Sequence, residues 1–233
     1  MPIEKLIKKY TELLTAVIRD HEKVKASESG HDFEHALMVA NYCVRIADDA
    51  RTAELAWVAG ICHNTDHLIE RGLFPRHLRK KRKLNALVRE KLLQYLRYTA
   101  FNKNDKRLVF EAVAEHRKRN DLRDNQITVT LKDADRLANV GALLCLRSAK
   151  ELEHLPVLDY IHLFHHPSAT YRHPESVVKD ISYSLEWKKW LRLPKAKKIG
   201  AKRFAFLKTF LQDIENQLKE SRLRPYPIPR KKK

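Results

Sequence analysis

Three residues far apart in the chain, His35, His63 and Asp135, each interrupt the apolar face of a segment with helical periodicity, and each can ligate a metal. Two imidazoles and a carboxylate make a coordination set suited to a divalent cation such as Mn, Fe, Ni or Zn. Separations of 28 and 72 residues carry no local meaning, but they suit ligands drawn from separate helices around a common pocket. A single histidine on an apolar face is more often a hydrogen-bonded core residue. Three such residues, with His116 also inward on an intervening helix, would each need a buried partner, and that favours a shared site.

The elements that must carry these residues are helices. Ile3, Leu6, Ile7, Tyr10, Leu13, Leu14, Val17 and Ile18 recur at three- and four-residue steps and predict a helix over 3–20. Ser27-Glu-Ser-Gly-His-Asp32 has cap and turn chemistry, and Met38, Val39, Tyr42 and Ile46 then continue a second helix to about Ala50, with His35 on the same face. The helix predicted over 52–63 is apolar nearly all round, which makes it central, and it delivers His63 and Asn64 at its end. Further helices are predicted over 84–99 and 105–117, followed by a polar loop from Arg117 to Asn125. A long helix over 126–149 sets Leu131, Ala134, Asp135, Ala138, Ala142 and Cys145 on one stripe. Pro156, Pro167, Pro174 and Pro194 break the later chain into shorter pieces before a last helix over 201–221, and the Pro- and Lys-rich end cannot continue it.

Composition narrows the class. At 233 residues and 43% hydrophobic content the chain can bury one sizeable core, and five glycines leave little turn material for many short strands. No apolar run approaches the roughly 18 residues of a membrane span, and the N-terminus lacks the layout of a secretion signal, so a cytoplasmic protein with no membrane partner is expected. Cys43, Cys62 and Cys145 lie in apolar helical patterns without metal-motif spacing and read as buried thiols. Of the net charge of +18, residues 187–233 hold +13, with sixteen Lys and Arg against three acidic residues. That surplus suits contact with a polyanion and equally suits a solvated surface. One helical domain over 1–186 with a basic helical extension and tail over 187–233, packed on the same domain, is the simplest parse.

Taken in order, His35-x-x-Met38-Val39, the buried helix ending in His63-Asn64, and Asp133-Ala-Asp135-Arg-Leu resemble the first histidine, the histidine-aspartate pair and the last aspartate of the HD superfamily. The resemblance implies an all-α, HD-domain-like helical bundle and a metal-dependent phosphohydrolase holding a divalent ion (Mn, Fe, Ni, Zn or Mg). It makes His35, His63 and Asp135 metal ligands, with Asp133 an exposed or supporting neighbour. His116 resembles the extra histidine that many relatives set toward substrate phosphate or a second metal, and a plain core or surface role stays open for it.

The departure is Asn64, which offers a neutral carbonyl oxygen where the family has a carboxylate, so a weaker ion and a missing base are expected. Asp66 and His67 supply a replacement ligand if the chain unwinds there. Arg136, Lys132, Arg117 and Lys118 are the cations available to a transferring phosphoryl group. The Arg76–Lys83 cluster and the Trp187–Leu193 stretch read either as phosphate or nucleic-acid contacts or as solvated and core-packed helix faces. Two functions follow: hydrolysis of a nucleotide or other small phosphate ester, or a catalytically impaired module holding nucleic acid or a phosphorylated ligand on basic surfaces.

Overall fold

Helical periodicity governs the chain throughout, and the described residues contain no β-strand, only an isolated bridge between Thr170 and His173. The structure, a computed structural model, describes residues 2–26 and 32–228. The turn expected over Ser27–His31 and the last five residues of the tail lie outside them. The chain forms two compact units. The first comprises Met1–Ala138 and Leu191–Lys197, the second Asn139–Trp190 and Lys198–Lys233, so the boundary expected near 186 falls inside the second.

In the first unit, α1 (Ile3–Lys9) and α2 (Thr11–Lys23) replace the single helix predicted over 3–20. The break at Tyr10 turns its ring inward, 5.8 Å from Trp57, and its hydroxyl donates to Glu54 at 2.7 Å. Asp32 caps α3 (Phe33–Ile46), its carboxylate accepting from the His35 N–H at 2.7 Å. This helix stops before Ala50 because Asp49 caps the next one, accepting from the N–H groups of Arg51 and Thr52. That next helix, α4 (Ala50–Cys62), is buried at every position from Thr52 onward. Its one buried carboxylate, Glu54, is matched by Lys9, Tyr10 and Arg51.

Gly60 sets how closely α3 and α4 approach. A Cβ there would lie 2.6 Å from the Ala40 Cα, a backbone atom that cannot step aside. Short helices α5 (Thr65–Glu70) and α6 (Arg76–Lys81) lead to α7 (Leu84–Leu96), and an Asn102–Asp105 capping box starts α8 (Lys103–Glu115). Helix α9 (Gln126–Ala138) packs on α3, α4 and α8. The helix predicted over 126–149 ends there because Gly141 takes a φ of +94°, a conformation glycine adopts at little cost. Ala142 and Cys145 therefore leave the stripe that carries Asp135, and Cys145 is only half-buried.

The second unit starts with α10 (Ala142–Glu151), which packs on α11 (Val177–Tyr183), with Ser148 donating to Asp180 at 2.8 Å. A 3-10 helix, Ser184–Trp190, carries the Trp187 stretch, which the sequence left open between a phosphate or nucleic-acid contact and a core-packed helix face. Helix α12 (Pro194–Glu220) starts seven residues earlier than predicted, since proline is well accommodated at a first helical position, where its missing N–H has no partner to lose. No helix among the described residues is long and apolar enough to cross a membrane.

Candidate metal centre

Each candidate ligand sits where its helix is held by neighbours. His35 lies in the first turn of α3, its backbone fixed by the Asp32 cap and its side chain 1% exposed. His63 follows the last residue of α4 and is equally buried. Its Nδ1–H donates to the Gly60 carbonyl at 2.7 Å, which turns the Nε2 lone pair toward the interior. Asp135 projects from α9 so that its Oδ1 is 3.5 Å from His35 Nε2 and 3.9 Å from His63 Nε2. The three ligand atoms lie within 4.8 Å of one another, and the two imidazole rings are 5.2 Å apart at 66°. His116, just past α8, brings a third ring to within 5.3 Å of His63, with its Nδ1–H donated to Val113 at 2.7 Å.

Electrostatics prepares these groups for a cation. Burial pulls His63 well below the ordinary histidine range and outweighs the opposing pull of the Asp135 carboxylate, so His63 is neutral and its lone pair available at physiological pH. Burial opposes ionisation of Asp135, but the His35 hydrogen bond and the His63, His35 and His116 rings outweigh it and hold the carboxyl far below its usual range. A neutral buried imidazole, a second imidazole and an ionised carboxylate converging from three helices fit a divalent cation. The adjacent thiols are inert by comparison: burial raises Cys43 far above its ordinary range and Cys62 to about 12.

The remaining predicted residues divide. Asn64 is buried, 1% exposed, at the hinge between α4 and α5. The chain does not unwind at Asp66 and His67; both stay helical in α5 and neither joins the converging set. Asp66 instead accepts from Arg117 at 2.8 Å, and although burial opposes it, His116, His67 and Arg117 keep its carboxyl ionised below the usual range. Arg136 is buried and lies 3.5 Å from Asp133. Lys118 is exposed and bonded to Glu115. Lys132 is not available to substrate, because its ammonium is fully buried and donates to Asp124 and to the Arg119 carbonyl.

Of the two readings open for Asp133, exposed or supporting, the exposed one falls away. Asp133 is 0% exposed, and its Oδ2 accepts from the backbone N–H groups of Arg192 and Leu193 at 2.7 and 2.8 Å. Two positions apart on a helix point roughly 200° away from each other, so with Asp135 in the pocket Asp133 had to face another neighbour. That spacing was the available signal. What it could not name was the partner, which arrives about sixty residues later.

The HD domain family profile matches residues 32–140, which contain all three candidate ligands. No curated protein sequence matches the chain. Among solved structures, a protein of Lactobacillus plantarum is 18% identical, with 91% of this chain and 98% of that one covered at a TM-score of 0.65. An HD-superfamily hydrolase from Bacillus thuringiensis is 16% identical over 92% and 98% of the two chains, at 0.65. Bacillus subtilis YpgQ in complex with ADP is 18% identical over 87% and 97%, at 0.56. At these identities the likeness establishes the fold.

Proposed function

The chain is a member of the HD superfamily through residues 32–140, and from that premise we propose that it is a metal-dependent phosphohydrolase acting on a nucleotide or another small phosphate ester. The observation that carries this reading is the convergence of His35, His63 and Asp135 within 4.8 Å. ADP in a protein of the same fold supports a nucleotide as the substrate class.

His35, His63 and Asp135 would hold the cation, and Asn64, next to His63 in the chain, could add only a neutral carbonyl oxygen. A divalent ion in such a set supplies Lewis-acid chemistry, polarising a phosphoryl oxygen and lowering the pKa of water. The protein's own groups do the rest. His116, its Nδ1–H committed to Val113 and its ring 5.3 Å from that of His63, has Nε2 left to accept a proton. Arg117, half exposed and oriented by Asp66, is the cation assigned to steady negative charge on the transferring group, with Arg136, next to Asp135 in the chain but paired with Asp133, as the second candidate.

Metal-loaded protein assayed against a panel of nucleotides and phosphate esters tests the proposal, with His63→Ala as the control. Phosphate release by the parent and its loss in the variant are expected. A parent that holds metal yet cleaves nothing in the panel overturns the hydrolase reading in favour of a binding module, the alternative that Asn64 supports.

A further inference from the structure

A second group of metal-competent residues lies in the other unit, in the segment between α10 and α11. Asp159, His162 and His166 bring one carboxylate oxygen and two imidazole nitrogens within 4.8 Å of one another, and their rings stand 4.7 Å apart at 74°. From these positions we propose a second divalent-cation site at Asp159, His162 and His166, built independently of the HD centre and of the activity assigned to it. Two imidazoles and a carboxylate select a borderline transition cation, with Zn²⁺ the natural probe.

The local chain presents the three side chains together. Asp159 closes the turn by accepting from the N–H groups of Ile161 and His162 through Oδ1, which leaves Oδ2 for the rings. Leu163, fully buried, takes a φ of +50°, rare for a branched side chain, and the chain reverses there so that His166 returns beside His162. The segment is tied to α11 at both ends. The Pro156 and Val157 carbonyls accept from Val177 and Val178, and the Lys179 ammonium donates to the Phe164 carbonyl.

Hydrogen bonding accounts for only part of the arrangement. His162 Nδ1 is 2.9 Å from Asp159 Oδ2 and bonds it, but His166 Nε2 stops 3.7 Å from the same oxygen, too far for a hydrogen bond. Two ligands about 2.1 Å from a shared tetrahedral ion stand about 3.4 Å apart, close to that gap. Ser168 serves either tautomer of His166: its backbone N–H donates to Nδ1 at 3.3 Å, and its hydroxyl, 3.1 Å away, accepts when the proton sits on Nδ1 and Nε2 is free to ligate. Burial opposes the Asp159 charge, but the hydrogen bonds from His162 and Ile161 keep it ionised below the usual range. The sequence signal was Asp159-x-x-His162-x-x-x-His166, overlooked because no helical face framed it.

The test is a Zn²⁺ titration of full-length His63→Ala protein, which disables the HD centre. One ion per chain is expected, with affinity falling at least tenfold when His166→Gln is added. No binding by His63→Ala protein, or equal binding with His166→Gln, overturns the site. Ring resonances give a readout that needs no second substitution: Zn²⁺ must shift those of His162 and His166 and leave exposed His77 and His154 unmoved. Shifts spread over all four overturn it as well. Failure here leaves the phosphohydrolase reading untouched, because that reading is tested with the parent and its own substrate panel.

Discussion

At residue 64 a neutral carboxamide follows His63, at the place where the HD resemblance implies a negative oxygen. Asn64→Asp adds that charge to a buried site of low effective dielectric, and the affinity for Mn²⁺ or Zn²⁺ is expected to rise by about tenfold or more, read by competition with a chromogenic chelator. Unchanged affinity would put residue 64 outside the ligand set. Asp135→Asn removes the only carboxylate of the converging trio, and metal content by elemental analysis is expected to fall by one ion per chain. The convergence of these three candidates was legible in the sequence because each is a polar residue in an otherwise apolar helical stripe, and burying it alone is expensive. Lys132 and Asp133 were less legible for the opposite reason. Their partners, Asp124 across a loop and the backbone of Arg192 and Leu193, come from segments whose return no periodicity announces.

At the scale of helices, the contact between α3 and α4 decides whether two imidazoles can share an ion. Gly60→Ala sets a methyl against the Ala40 backbone, so the helices must part, at about 1–3 kcal/mol in stability. The same step widens the 5.2 Å spacing of His35 and His63, and metal affinity is expected to fall together with the melting temperature. A variant that melts lower but binds metal unchanged would separate helix packing from ligand geometry. Most helices were foreseeable from three- and four-residue spacing, α4 above all, since its apolar character all round demanded a central place. The breaks were not. Tyr10 and Gly141 end helices within continuous apolar patterns, one to seat a ring against Trp57 and the other through a positive φ. Periodicity reports which face is buried and is silent about where the backbone turns.

For the chain as a whole, charge and acid response are the measurable properties. A net charge of +18, with +13 in residues 187–233, predicts that any binding to a random oligonucleotide weakens steeply as salt rises, since released counterions drive such contacts. Salt-independent binding in a fluorescence-anisotropy titration would exclude a phosphate-driven complex. Acid acts through Asp124. Burial opposes its charge, but Lys132, the Asp121 N–H and Arg192 hold its pKa below the ordinary carboxylate value. A depressed folded pKa stabilises above the unfolded value, near 3.8, and that contribution is lost as pH falls through the folded one. The melting temperature is therefore expected to drop as pH falls below 3.8, and to drop less in Asp124→Asn, which at neutral pH already lacks the pair and is destabilised by about 3–5 kcal/mol. The bond between Asp133 and residues 192–193 adds a consequence in time. A ribosome that has finished residue 190 has made all three candidate ligands of the HD segment, yet the carboxylate two places before the last of them still lacks its two backbone donors. Until those donors emerge, α9 can bury Asp133 only at a cost, so the nascent chain completes the helical core around its candidate ligands late, after most of the second unit has been synthesised.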